Sequence, residues 1–392
     1  MALQPASGAR DLNPREVESN RRICDLLAEM YRLWGYQEVA PPTIERLATL
    51  GAGGAIAERE VIRLVAEEPL GLRPELTASI ARAASTRMVD RARPLRLWAC
   101  GTTFGSVIAN GGGQRISERL QSGVELLGAV SPAADRELMH LLLAAVGTLG
   151  LRPSHRPTLL VGHHGLLDAL VAPLPAECRR RGREALTRFD PLSISALPLP
   201  TDDRRRLMAL LGLRGDPTQV LDQLEQWLGP VPLLDSLVST LAGVAGPAAS
   251  LGVRLQLDPT FQPHFDLYDG LVLKLVCQGT HSPLAIASGG RYDALVGRFC
   301  SNPARATGTG FGFDIEAIRD LLDTQIPGPP HTSPWLVAWS GPNGLNLALA
   351  KVGEFHAKGV AAEICTVACA NQMEADRIAA ERGCCRAVWL PS

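Results

Sequence analysis

Apolar residues recur at helical spacing through residues 17–34 (Val-Glu-Ser-Asn-Arg-Arg-Ile-Cys-Asp-Leu-Leu-Ala-Glu-Met-Tyr-Arg-Leu-Trp), and Gly35 follows as a stop signal. Residues 36–40 then read as a strand that ends at Pro41-Pro42. Two further strands are predicted over 94–105 and 119–128, joined by a loop holding Gly111-Gly112-Gly113. A helix follows over 134–150, ended by Gly150. From about 165 to 250 the chain reads as helical, with Leu and Arg at helical spacing and frequent proline breaks. Strand patterns return at 253–257, 270–277 and 284–288. Residues 326–334 (Ile-Pro-Gly-Pro-Pro-His-Thr-Ser-Pro) form a proline-rich linker. Beyond it come strand 335–339, helix 345–358, strand 361–365, helix 372–382 and strand 387–390, the alternation of an α/β unit.

This pattern predicts two domains: a large one over 1–325 with the helical insertion at about 165–250, and a small α/β one over 335–392. With 392 residues and 46% hydrophobic content, the chain can bury one large core and a smaller one. Its 39 basic and 40 acidic residues balance without a long run of one sign, so there is no electrostatic footprint for nucleic acid. No apolar run approaches the roughly 20 residues of a membrane span. The opening Met-Ala-Leu-Gln-Pro-Ala-Ser-Gly-Ala-Arg does not read as a signal peptide. Nine scattered cysteines, an odd count, suit reduced thiols in a cytoplasmic protein. Cys365-xxx-Cys369 and Cys384-Cys385 lack zinc-knuckle spacing and a nearby histidine pair, so they read as packing residues and no metal is expected.

Residues i, i+2 and i+4 of a strand share a face. Gln121, Gly123 and Glu125 form such a line, the glycine leaving room between two polar groups, and Glu75 and Thr77 form a second if Arg73–Thr77 is extended. A zwitterionic ligand wants carboxylate acceptors for its ammonium and fixed donors for its carboxylate, which such lines supply. Other motifs carry less. His163-His164 reads as a polar turn before a helix at Leu166, because adjacent side chains point different ways. Gly111-Gly112-Gly113 lacks the Lys-Ser/Thr ending of a phosphate loop, and Gly308-Thr309-Gly310-Phe311-Gly312 continues poorly as a dinucleotide fingerprint. Arg179-Arg180-Arg181-Gly182-Arg183 reads as a solvated helix face.

Several segments together resemble the catalytic domain of class II histidyl-tRNA synthetase. They are Leu72-Arg73-Pro74-Glu75-Leu76-Thr77, Cys100-Gly101-Thr102-Thr103-Phe104-Gly105, Phe265-Asp266-Leu267-Tyr268-Asp269-Gly270 and Ser288-Gly289-Gly290-Arg291-Tyr292-Asp293, leading into Gly308–Ala317. Gly8–Pro14 is similar to the opening of that family, and Gly35–Glu45 to the class II dimer-interface motif. The resemblance implies an α+β fold, an antiparallel sheet with flanking helices. It also implies that Glu75, Thr77, Gln121, Glu125, Tyr268 and Tyr292 stand where the family binds the amino group and side chain of histidine.

Three positions depart from the family's pattern. Making an aminoacyl adenylate puts negative charge on the α-phosphate, which preorganised cations must meet. Where the family has arginines for phosphate, this sequence has Gly105 after Phe104, Pro263 three residues before Asp266, and Ala317 after Glu316. None of these side chains can donate a hydrogen bond or carry charge. Losing one oxyanion-stabilising donor costs about two to three orders of magnitude in rate, so losing three removes adenylation. Arg115, Arg119 and Arg319 are the neighbours that a shifted register could bring in. The C-terminal unit is similar to the family's anticodon-binding domain but is shorter by a strand and a helix or so, which argues against tRNA anticodon recognition.

The chain therefore resembles that family's non-catalytic relatives, the regulatory subunits of short-form ATP phosphoribosyltransferase. The resemblance implies a chain with no catalytic residues and no cofactor of its own. It implies self-association as a dimer and assembly with a short catalytic partner as an allosteric hetero-octamer. The partner joins ATP to phosphoribosyl pyrophosphate in the first step of histidine biosynthesis, and the regulatory chain supports full activity and inhibition by histidine. The feedback histidine has three possible seats: the old pocket, the catalytic partner, or their shared surface. Two other functions remain open at this point. One is a class II synthetase-like enzyme with altered adenylation or amino-acid transfer; the other is a stand-alone interaction module of the type fused to stress kinases.

Overall fold

The computed structural model describes residues 5–53, 60–108, 114–129, 131–262, 267–322 and 333–391. Gly111-Gly112-Gly113, Pro263, Phe265, Asp266 and linker residues 326–332 lie outside them. The chain divides into two compact units, Met1–Asp323 and Thr324–Ser392.

In the first unit, helix α1 (Pro14–Leu33) begins three residues before the predicted start because Asn13 caps it. The Asn13 side chain accepts from Glu16 N (3.1 Å) and Glu16 accepts in return from Asn13 N (2.9 Å), so two otherwise orphaned N–H groups are satisfied. There follow β1 (Gln37–Glu38), β2 (Ile44–Arg46), α2 (Leu47–Leu50), β3 (Leu70–Leu72), α3 (Thr77–Thr86), β4 (Leu95–Ile108), β5 (Gln114–Leu127), α4 (Ala133–Thr148) and β6 (Thr158–His163). The predicted helical insertion is six helices: α5 (His164–Val171), α6 (Ala176–Thr187), α7 (Pro191–Ser195), α8 (Thr201–Leu210), α9 (Pro217–Leu228) and α10 (Pro232–Ser250). The chain then returns through β7 (Arg254–Leu257), β8 (Leu271–Gln278), β9 (Pro283–Arg291), α11 (Asp293–Phe299), β10 (Gly308–Asp314) and α12 (Ile315–Leu322). By length and composition α10 could cross a membrane. It instead packs on α4, α9 and β7, burying Leu234, Leu237, Leu241 and Val244.

Eight strands form one sheet in the order β1-β4-β5-β10-β9-β8-β6-β7. Every pairing is antiparallel except β1/β4 and β6/β7 at the two edges. The α+β architecture expected from the sequence is therefore present. Cross-strand partners share a face, so the register sorts the sheet into two surfaces. One carries the row Leu97, Glu125, Gly310, Gly290, Val272 and the row Ala99, Gly123, Gly312, Ser288, Lys274. The other carries Trp98, Val124, Phe311, Gly289, Leu273 and then Cys100, Ser122, Phe313, Ala287, Leu275. Helices α1, α4 and α12 pack over this second surface, with Tyr31 of α1 against Trp98 at 5.8 Å between ring centroids. Helices α3 and α11 cover part of the first, through a core that includes Leu76, Ile80, Leu97, Leu127, Leu295 and Val296. What they leave uncovered is the candidate site.

In the second unit, β11 (Trp335–Trp339), α13 (Gly344–Ala357), β12 (Ala362–Ile364), α14 (Gln372–Arg382) and β13 (Arg386–Leu390) alternate as the sequence predicts. The strands form a parallel sheet in the order β12-β11-β13. Cys365 and Cys369 sit in its core beside Leu336, Ala338, Ala375 and Ala379.

Candidate functional site

A cavity of about 770 Å³ opens over the glycine-bearing rows of the sheet. Its shape begins with β10. A Cβ added at Gly308 would meet the Tyr292 ring, one at Gly310 the Glu125 carboxylate, and one at Gly312 the Gln121 amide. The Gly-x-Gly-x-Gly spacing thus has the strand period of two, each glycine making room for one polar side chain of the cavity. It belongs to a strand and not to a nucleotide-binding loop.

Glu125 is 3% exposed, with Oε1 accepting from Thr77 Oγ1 at 2.6 Å and Oε2 accepting from the Tyr292 hydroxyl. Burial pushes its carboxyl up to about 8; the Thr77 and Tyr292 donors oppose that shift and the Glu75 charge adds to it. Glu75 is also raised by burial, although it accepts from Ala78 N at 3.0 and 3.1 Å in the first turn of α3. The same burial raises Tyr268 and Tyr292. Gln121 lines the cavity, and its buried Oε1 has no hydrogen-bond partner. A buried acceptor left empty costs free energy that a ligand donor would recover.

The strand pair expected of Glu75 and Thr77 does not form. β3 stops at Leu72, and Thr77 is the first residue of α3. The cause is Arg73, whose buried guanidinium donates to Thr102 O (2.9 Å), Pro41 O (2.6 Å) and Pro42 O (3.3 Å), turning the chain before Pro74. Gly101 lacks the Cβ that would strike that guanidinium. Glu75 and Thr77 therefore reach the cavity from a helix start, where they still converge with Gln121, Glu125, Tyr268 and Tyr292. The framework is pinned from beneath. Arg291 ion-pairs with Asp135 (2.8 Å), Asp293 accepts from Gly308 N (2.9 Å), and Asp269 caps α11 through Asp293 N and Ala294 N.

The far end of the cavity differs. Gly105 lines it without a side chain. Ala317 is buried in the first turn of α12, its N–H donating to Asp314 at 2.9 Å. Among the described lining residues the cations are Arg119 and Lys274. Arg119 lies within β5 opposite Thr103, 3.4 Å from Asp314. Lys274 sits over the Phe261 ring at 5.6 Å. Arg115 is also in β5, and Arg319 is buried against Asp320 (2.9 Å) and Asn20 (3.2 Å), turned to α1.

His163 ends β6 and caps α5, accepting from Gly165 N at 3.0 Å, so the expected polar turn is a direct strand-to-helix junction. Burial pushes its imidazole down to about 4. Among the described residues no group of three or more His, Cys, Asp or Glu is placed to hold a metal ion. The arginines of α6 are mostly engaged locally: Arg179 with Leu174 O (2.9 Å), Arg180 with Glu184 (3.1 Å) and Arg183 with Asp168. Reading by segment missed Arg73 and Lys274 as parts of the site, because their roles depend on carbonyls and rows distant in sequence.

Comparison with known proteins agrees with this framework. A model of the family described as histidyl-tRNA synthetase matches residues 8–318. An ATP phosphoribosyltransferase regulatory subunit from Prochlorococcus marinus (strain MIT 9303) is 49% identical over 390 residues, covering 100% of both chains. The chain belongs to the ATP phosphoribosyltransferase regulatory subunit family. A second member of that family, from Synechococcus sp. (strain RCC307), is 50% identical over 392 residues, again with full coverage of both. The crystal structure of an ATP phosphoribosyltransferase regulatory subunit/histidyl-tRNA synthetase from Bacillus halodurans C has a TM-score of 0.82 at 26% identity, covering 100% of this chain and 99% of that one. Histidyl-tRNA synthetase from Nostoc sp. PCC 7120 has a TM-score of 0.76 at 16% identity, with 100% and 92% covered, which shows that the regulatory subunit family shares the synthetase fold.

Proposed function

We propose that this chain is the regulatory partner of a short-form ATP phosphoribosyltransferase catalytic chain. In that role it supports the first step of histidine biosynthesis and its inhibition by histidine, and its cavity binds histidine. One observation carries the reading: the cavity is asymmetric. At one end Glu125, Glu75 and the unpartnered Gln121 carbonyl offer buried acceptors to a cationic nitrogen. At the other, Gly105 presents no side chain to a phosphate. Regulation needs no chemistry in this chain, only an affinity for ligand that differs between two states of the assembly. The relatives' names support the same reading and do not favour a synthetase-like enzyme with altered adenylation.

The reading extends to self-association through α1 and β1, to a cytoplasmic hetero-octamer with the catalytic chain, and to no dealings with tRNA or membrane. Co-expression with a short-form ATP phosphoribosyltransferase is the test. Co-purification, raised activity and new sensitivity to histidine support the role. Failure to associate, or clear histidine-dependent ATP–pyrophosphate exchange by this chain alone, sinks it.

A further inference from the structure

Behind the cavity, on the helix-covered surface of the sheet, two cysteines far apart in sequence meet. Cys100 of β4 lies opposite Ser122 in the row next to Gly101 and Gln121, and its Sγ is 3.2 Å from Sγ of Cys24 in α1. A disulfide needs about 2.05 Å, so a sulfur displacement of roughly 1 Å closes the bond. Cys100 is exposed and Cys24 partly so, whereas Cys178 and Cys277 are buried. Cys365 and Cys369, the other close pair, are buried in the core of the second unit with Sγ atoms 3.7 Å apart.

We propose that Cys24 and Cys100 are a reversible disulfide site, oxidised by exchange with a low-molecular-weight disulfide such as oxidised glutathione. Access makes Cys100 the attacking sulfur. The electrostatics agree: the thiol contact with Cys24 holds Cys100 below the usual thiol range, with the Arg73 charge assisting, while the same contact and burial raise Cys24. The Cys100 thiolate attacks one sulfur of the reagent, forms a mixed disulfide and expels one thiolate. Cys24, no longer facing a thiolate, loses its proton to solvent, attacks Cys100 Sγ and expels the second. The two protein thiols lose two electrons and two protons, and the reagent takes them up as two thiols. The bond would staple α1 to the strand behind Gln121, beside the Arg73 clamp on Pro41 and Pro42.

The test uses the full-length wild-type chain, equilibrated in glutathione buffers of rising oxidised fraction, alkylated and mapped by peptide mass. The expected result is a Cys24–Cys100 cross-linked peptide, with both of these thiols lost to alkylation and recovered by dithiothreitol. In C24S the reaction stops at a glutathione adduct on Cys100; in C100S, Cys24 stays alkylatable. A wild-type chain that accumulates the adduct on Cys100 without cross-linking overturns the proposal. So does a folded chain that leaves both thiols free while the exposed Cys385 reacts. The wild-type map decides the matter whether or not the variants fold.

Discussion

On the proposed function, the buried carboxyl of Glu125 makes histidine binding a proton-release reaction. With its pKa pushed up to about 8, roughly nine in ten empty chains hold that proton at pH 7, and ionising the group there costs about 1.4 kcal/mol. A ligand ammonium placed against Glu125 needs the carboxylate, so histidine should expel close to one proton per site at pH 7. The sign follows from linkage: affinity rises with pH as the group ionises without help, by about eightfold between pH 7 and 8.5. Above pH 7 the ligand's imidazole, with an ordinary pKa near 6.5, adds little. The folded pKa also lies above the unfolded one of about 4.3, so Glu125 lowers stability as pH rises from there through about 8. Calorimetric titration of histidine at pH 7 in two buffers of different ionisation enthalpy counts the protons directly. Glu125→Gln keeps a hydrogen-bonding side chain of the same size; it should release none, flatten the pH dependence and bind more weakly. Tight binding by wild type with no proton release, or equal release and affinity in the variant, would refute the placement of the ligand against Glu125.

Gly310→Ala pushes a methyl group into the Glu125 carboxylate and the Val124 carbonyl, so it should abolish histidine binding and cost about 1–3 kcal/mol in urea unfolding. Arg73→Met removes the donors of three carbonyls. With at least one left unsatisfied in a buried place, chemical denaturation should show a loss of about 3 kcal/mol. Asp135→Asn leaves the mostly buried Arg291 cation with Asp293, at 3.3 Å, as its remaining charge partner, and a thermal melt should register about 1.5–3 kcal/mol of destabilisation with the pocket framework loosened. Asn13→Ala removes the α1 cap and should cost about 1 kcal/mol, read by circular dichroism on denaturation.

What the sequence made legible was local or periodic. Gln121, Gly123 and Glu125 sit on one strand face as their spacing requires, because strand alternation is a property of adjacent residues. β6 escaped notice: it is buried on both faces, so Thr158–His163 shows no alternation to separate it from the helices that follow. Thr77 was misplaced for a different reason. Nothing in the local pattern of Arg73–Thr77 announces that Arg73 will be spent on carbonyls from residues 41, 42 and 102, and those long-range bonds decide where α3 begins. Arg115 fell in the predicted loop because β4 and β5 run on to Ile108 and from Gln114, well past the predicted ends, under the pull of their mutual pairing. Strand length of that kind is fixed by the partner strand, not by the segment.

The glycines of the cavity fall into two classes, and the difference bears on function. At Gly308, Gly310 and Gly312 a side chain would collide with the groups that form the acceptor end, so that end exists only while those positions stay bare. At Gly105 the situation is reversed: an added Cβ would meet only Ser117 Cβ, at 3.9 Å, an ordinary contact, and no positive φ demands glycine there. Neither a Cβ clash nor backbone geometry therefore demands glycine at position 105. The missing side chain at Gly105 is thus not enforced by its surroundings. An acceptor end that is sterically enforced, facing a bare position 105 that nothing around it enforces, fits the proposed sensing of a ligand without phosphate chemistry.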